Sequence, residues 1–252
     1  MDTVSMNLEG RTAVVSGASS GIGRATALLF ARHGATVHAL SRRGSAEPAP
    51  TTDGGAVIPH ALDVTDDTAT RECLDDIVRH ADVDVLMSTV GLNVPNRHLR
   101  DLSVPDWNAV LHSNLDSCFY LIHAALDSLR RTQGTVIVVG SASALWPNGS
   151  GAAYQAAKLG MLGLTRAASY EEHVHGVRFT AVLPGLVDTP HLDHRATPPS
   201  AQARARSLRS GDVAEACLYI ASLPTRVHVP ELVILPTALQ APGKTEIPDA
   251  PA

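Results

Sequence analysis

Short runs of apolar and β-branched residues recur along the chain at 12–15, 36–40, 56–61, 83–88, 135–139, 178–183 and 232–235. Stretches with helical spacing separate most of them, and seven strands in this rhythm predict an α/β fold with a doubly wound parallel sheet. Between Ser103 and Arg131, Trp107, Leu111, Leu115, Ile122, Leu126 and Leu129 mark one face at helical spacing and predict a single helix with Asn114 inside it. The helix expected around 152–168 is apolar or small over most of its circumference: Ala152, Ala153, Ala156, Ala157, Leu159, Met161, Leu162, Leu164, Ala167 and Ala168. That is more than packing on one sheet requires, so a second surface is expected to cover it.

Two segments break the pattern. Only twelve residues lie between Arg43 and Ala56, and their Pro, Gly, Ser and Thr content disfavours a crossover helix and predicts an irregular link. From Gln240 to Ala252 three prolines and a glycine occur without apolar periodicity, which predicts a disordered tail after a single domain spanning 1–239.

Composition narrows the classes. With 252 residues the chain can bury one large core, and a net charge of −5 offers no basic face for nucleic acid. No run approaches the roughly 18 apolar residues needed to span a bilayer. The opening Met1-Asp2-Thr3-Val4-Ser5-Met6-Asn7 lacks a basic region followed by an apolar one, so no export signal is expected. Cys73, Cys118 and Cys217 are odd in number and far apart, arguing against a disulfide framework or CxxC metal site and for a reducing, cytoplasmic setting. Twelve histidines include His173-Val174-His175 and His191-Leu192-Asp193-His194, but neither pair comes with Cys or a second carboxylate at ligand spacing. No metal is expected.

The chemistry begins at Gly17-Ala18-Ser19-Ser20-Gly21-Ile22-Gly23, a glycine-rich turn between the first strand and a helical stretch. Without a Cβ the backbone can approach a pyrophosphate closely, and the helix's free N–H groups and positive dipole end stabilise its charge. Further on stand Tyr154 and Lys158, with Ser141 thirteen residues before the tyrosine. At i and i+4 on a helix, the tyrosine and lysine share one face. A nearby ammonium favours tyrosinate and brings a phenol of pKa near 10 toward the working range. Reduction of a carbonyl needs hydride on carbon and a proton on oxygen. Tyr154 is placed to supply that proton and Ser141, at a strand exit, to hold the oxygen; run backwards, the same groups oxidise an alcohol.

Taken in order, the glycine turn, Asn114, Ser141, Tyr154-Gln155-Ala156-Ala157-Lys158 and Pro184-Gly185 resemble the short-chain dehydrogenase/reductase family over residues 8 to about 238. The resemblance implies a single Rossmann-type domain, a nicotinamide cofactor, and a catalytic set of Asn114, Ser141, Tyr154 and Lys158. Asn114 would hold a water that relays protons from Lys158, and Lys158 would also bond the nicotinamide ribose. Cofactor contacts are expected at Gly17, Ser19, Ser20, Gly21, Ile22, Gly23, Asp63, Val64, Gly91, Pro184, Gly185, Val187 and Thr189. The family usually carries Asn-Asn-Ala-Gly where this chain has Ser88-Thr89-Val90-Gly91, which places the bulkier Val90 beside the ribose.

Cofactor choice turns on the end of the second strand, where NAD readers place an acid and NADP readers an arginine. Here Ser41-Arg42-Arg43 stands, with no acid before Glu47, which favours NADP(H). Substrate is expected against Asn93, Ser143, Leu145, Trp146 and Leu186, under a lid at about 189–210 whose Arg195, Arg204, Arg206 and Arg209 read as helix surface. The C-terminal pattern looks like NADP-dependent members acting on 3-hydroxy acids and similar small carbonyl compounds, and less like acyl-carrier-protein reductases. The resemblance also implies a homotetramer or homodimer built on the helix around 152–168. A lyase or epimerase with bound nucleotide, or a dinucleotide-binding sensor, are the alternatives.

Overall fold

The computed structural model describes residues 6–44, 54–194 and 198–239. The expected tail at 240–252, most of the link between Arg43 and Ala56, and Arg195 lie outside the described residues.

Seven strands form one sheet in the order β3-β2-β1-β4-β5-β6-β9, every neighbouring pair parallel. They are β1 (Thr12–Ser16), β2 (Thr36–Ser41), β3 (Ala56–Ala61), β4 (Val85–Ser88), β5 (Thr135–Val139), β6 (Arg178–Pro184) and β9 (Glu231–Ile234). β1, β4, β5 and β6 are buried along their whole length, as continuous apolar runs require when helices cover both faces. Of the seven, only the edge strands β3 and β9 carry exposed side chains, and Pro59 sits on the β3 edge where its missing N–H costs no ladder bond.

Two cores sandwich the sheet. On one face Phe30 and Ala27 of α1 (Gly21–Arg32) meet Val213, Cys217 and Leu218 of α7 (Ser210–Ser222) over Val15, Val37 and Met87. On the other, Leu74 and Ile77 of α2 (Asp67–Val78), Leu121 and Ile122 of α4 (Ser117–Thr132) and Met161 of α5 (Ala152–Glu172) cover Val14, Leu86 and Val136. The short link does not prevent closure, because β2 and β3 pair in full register from Thr36↔Ala56 to Ser41↔Ala61.

The helix expected between 103 and 131 differs in detail. It runs as α3 (Val104–Leu111), one π turn (His112–Asp116) and α4. Asn114 lies in the π turn, and its Nδ2 donates to the carbonyl of Val110, four residues earlier, at 2.8 Å. An amide side chain inserted against the helix's own carbonyls is one recognised origin of such a widened turn.

After β6 the chain makes a small lobe. β7 (Val187–Asp188) pairs with β8 (Leu208–Arg209), and between them lie a 3₁₀ turn at Pro190–His194 and α6 (Ala201–Ala205). Arg204 of α6 bridges Asp188, at 2.8 Å, and Asp193, which fastens the lobe to itself.

Candidate active site

Strand order reverses between β1 and β4, and the carboxyl ends of the strands on either side open on a cleft of about 1270 Å³. The glycine turn forms one wall. Gly17 and Gly21 sit at φ +69° and +54°, and a Cβ on Gly23 would fall 2.5 Å from the Gly17 carbonyl oxygen. A turn this tight admits only glycine at those points. No acidic side chain occupies the first turn of α1, so its positive end is not countered by the helix's own residues. Thr89 ties this turn to the exit of β4: its amide donates to Ser16 Oγ at 3.1 Å and its hydroxyl to the Ser16 carbonyl.

Every cofactor contact expected from the sequence lines this cleft, from Gly17, Ser19, Ser20, Gly21, Ile22 and Gly23 through Ser41, Arg42, Arg43, Asp63, Val64 and Gly91 to Pro184, Gly185, Val187 and Thr189. Arg43 reaches back across the turn, its Nη2 donating to Ser19 Oγ at 3.3 Å. Val90 lines the cleft while packing partly into the core below, so its extra bulk is shared with the interior.

Tyr154 enters at the start of α5, packed among Val94, Trp107, Val110 and Ala157. One turn on, Lys158 is 3 % exposed; its Nζ lies 5.6 Å from the Tyr154 ring centroid and donates to the Val139 carbonyl at 3.2 Å. Burial pulls the lysine pKa down from 10.5 to about 8. Asn114 is wholly buried; its Nδ2 also donates to the Leu92 carbonyl at 2.8 Å, while its Oδ1 accepts nothing. A Cβ placed on Gly91 would lie 3.3 Å from Asn114 Oδ1 and 3.6 Å from Lys158 Nζ, so the two groups meet across this glycine. A buried acceptor left unbonded beside an ammonium is rare and marks a place for a polar ligand or water.

Ser141 caps the 3₁₀ turn at Ala142–Ala144 just beyond β5 and joins a hydrogen-bonded chain. Its hydroxyl donates to Ser143 Oγ at 3.1 Å, and Asn148 Nδ2 donates to the same Ser143 oxygen at 2.7 Å. Asn148 is held in turn by Gln155, whose Nε2 donates to its carbonyl at 2.9 Å. Asn93 closes the chain by donating to the Ser150 carbonyl at 2.9 Å.

Of the expected substrate contacts, Asn93, Ser143, Trp146 and Leu186 line the cleft. Leu145 does not: it packs against Ala144, Leu162, Ala181 and Leu183, because the 3₁₀ turn directs it into a small apolar cluster. Arg204 is committed to Asp188 and Asp193, and Arg206 and Arg209 lie away from the cleft. Sequence reasoning passed over Thr89, Arg97, Asn148 and Ser150. The available signal was a set of polar residues in loops directly following a strand exit or preceding Tyr154. Among the described residues no group of three His, Cys, Asp or Glu side chains gathers as metal ligands.

Comparison with known proteins now decides the family, since the short chain dehydrogenase family model matches residues 11–199. The chain belongs to the short-chain dehydrogenase/reductase family. It is 31% identical over 228 residues to a 3-oxoacyl-[acyl-carrier-protein] reductase of Thermotoga maritima, covering 86% of this chain and 92% of that one. It is 33% identical to a cis-4-hydroxycyclohexanecarboxylate dehydrogenase of Sinomonas cyclohexanicum, covering 84% and 89%. Among solved structures, an alcohol dehydrogenase from the archaeon Thermococcus sibiricus complexed with 5-hydroxy-NADP superposes with a TM-score of 0.79 at 28% identity, covering 90% of this chain and 97% of that one. The likeness to acyl-carrier-protein reductases is thus greater than the C-terminal pattern alone suggested. The protein is an oxidoreductase of this family, and the glycine turn, Arg42, Asp63, Tyr154 and Lys158 along one cleft are residues that would suit a nicotinamide dinucleotide.

Proposed function

We propose that the enzyme transfers a hydride between NADP(H) and a small carbonyl or alcohol compound. The observation that carries this reading is the convergence of Tyr154, Lys158, Ser141 and Asn114 at one end of a dinucleotide-sized cleft. A nicotinamide held at the Tyr154 and Lys158 end of the cleft would supply hydride to the substrate carbon. Tyr154 gives its phenolic proton to the carbonyl oxygen, and Ser141, its oxygen held by the Ser143 amide at 3.1 Å, turns its O–H away from Ser143 Oγ to donate a hydrogen bond to that same oxygen. Lys158, charged below its pKa of about 8, stabilises tyrosinate after the proton has left. Asn114 Oδ1 offers an acceptor through which a water can return a proton to Lys158.

The NADP(H) preference rests on Arg42 and Arg43 lining the adenosine end, where a 2′-phosphate meets guanidinium rather than carboxylate. The small lobe over the cleft, with Thr189, Pro190, His191 and Leu192 on its lining, acts as the lid. Exposed Phe119 and His123 on α4 and Leu159 and Gly163 on α5 support a homodimer contact, and exposed Tyr219 on α7 and Val233 on the edge strand β9 support a second contact for a tetramer. The expected setting is cytoplasmic.

The test is NADPH oxidation by the purified protein against a panel of ketones and 3-oxo acids, followed at 340 nm. NADPH is expected to outperform NADH, and Tyr154→Phe to lower kcat roughly 10²- to 10⁴-fold while still binding NADPH. Turnover of Tyr154→Phe near the wild-type rate would remove the tyrosine from its role. A nucleotide that reacts without net redox change would point to a lyase or epimerase.

A further inference from the structure

We propose that Arg97 is the specificity-determining residue of this cleft, a guanidinium that receives a carboxylate carried by the carbonyl substrate. The proposal rests on the reductase reading given above and names the substrate class within it.

Arg97 stands in the loop between β4 and α3, and this loop is fastened directly onto the tyrosine's helix. Gly151, the N-cap of α5, has φ +90°, and a Cβ there would lie 2.7 Å from Arg97 Cβ. Val94 of the same loop packs with Tyr154 and Ala153, and Asn93 donates to the Ser150 carbonyl at 2.9 Å. The backbone that carries Arg97 is therefore fixed only a few residues from the phenol that protonates the substrate. Such fixation is what a positioning charge needs, since a mobile one orients nothing.

The side chain lines the cleft half-buried, and among the described residues it forms neither a hydrogen bond nor an ion pair. Burial by itself draws its pKa below the usual arginine value, with no acid nearby to raise it. The one acid among the described residues lining the cleft is Asp63, at the adenosine end, where its Oδ1 already accepts from the amide and hydroxyl of Thr65. The other lining arginines and lysine have assignments: Arg42 and Arg43 stand at the adenosine end, where Arg43 reaches Ser19 at the glycine turn, and Lys158 lies beneath Tyr154. A partly desolvated guanidinium without a counter-ion calls for an anion, and its planar fork matches the two oxygens of a carboxylate. Asn148 and Trp146, from the loop that leads into Gly151, line the same cleft.

The experiment compares 3-oxobutanoate with its methyl ester as substrates of the wild-type protein and of Arg97→Gln and Arg97→Lys, all with saturating NADPH. The wild type is expected to prefer the acid in kcat/KM, and Arg97→Gln to reduce the acid-to-ester ratio tenfold or more. Arg97→Lys should retain part of the preference, because it keeps the charge and loses the fork. An acid-to-ester ratio that is the same in wild type and Arg97→Gln overturns the proposal. So does a loss of NADPH affinity in Arg97→Gln with the ratio intact, which would assign the residue to the cofactor. If neither compound is reduced, calorimetry with butanoate on the NADPH-loaded protein decides Arg97, while the reductase reading itself is judged by the ketone panel. Butanoate binding lost in Arg97→Gln upholds the anion site; equal binding, or none to either protein, overturns it.

Discussion

In the mechanism proposed above, Lys158 bears on both stability and rate. Its pKa falls from 10.5 to about 8 because the ammonium is buried against Val139 and Met161 with no carboxylate beside it. Below pH 8 the folded protein bears the whole cost of burying that charge. Between about 8 and 10.5 the unfolded chain holds the proton and the folded one does not, so this residue's contribution to stability improves as pH rises through that window. Activity moves the other way, since the carbonyl-reducing form needs the ammonium. We expect kcat/KM for reduction to fall as pH rises through about 8, and Lys158→Arg to carry the falling limb to higher pH along with a lower maximum, because a guanidinium stays protonated. A pH–rate profile that is flat to pH 9.5 in the wild type would contradict this.

At the scale of the element, the β6 strand is anchored by an unusual buried cation. Arg178 is 7 % exposed at the first position of β6, and its Nη1 donates to the carbonyls of Leu223 at 3.0 Å, Pro224 at 3.1 Å and Val227 at 2.9 Å, while Nη2 donates to Thr135 Oγ1 at 2.7 Å. One side chain thus organises the turn between α7 and β9 and ties it to β5. Arg178→Met keeps the apolar stem and strands three carbonyls, which should cost roughly 2–4 kcal/mol and lower Tm by roughly 5–15 °C. Thermal unfolding with a Tm within a degree of wild type would show that the turn holds without it. The long helix through Asn114 makes a related point. Its apolar spacing predicted the helix correctly, but spacing could not reveal the π turn, which depends on Asn114 reaching Val110 and Leu92 at once.

For the molecule as a whole, the question is what covers the outer faces of α4 and α5. Leu159 is 54 % and Phe119 47 % exposed, beside Gly163, around which nothing lies within 4 Å of a Cβ position. If a second subunit covers this seam, Leu159→Glu should release a smaller species in multi-angle light scattering while far-UV circular dichroism stays unchanged, since the residue touches no core. A wild-type protein that is monomeric at micromolar concentration would refute the assembly.

The sequence by itself determined the strand rhythm and the parallel sheet, because buried parallel strands are apolar throughout, and the proposed reacting residues were nameable from it because the glycine turn and the Tyr-Lys pair are local in the chain. Expected strands at 12–15, 135–139 and 178–183 fall within a residue or two of β1, β5 and β6. Placement across the cleft was decided elsewhere. That Asn114 and Lys158 meet over Gly91, that Leu145 turns into an apolar cluster, and that Arg97 rests against Gly151 with no counter-ion among the described residues all depend on segments more than forty residues apart packing together, or on one turn's exit direction. Pairings of that kind leave no period in the sequence; only the folded sheet, by fixing where each strand ends, brings them face to face.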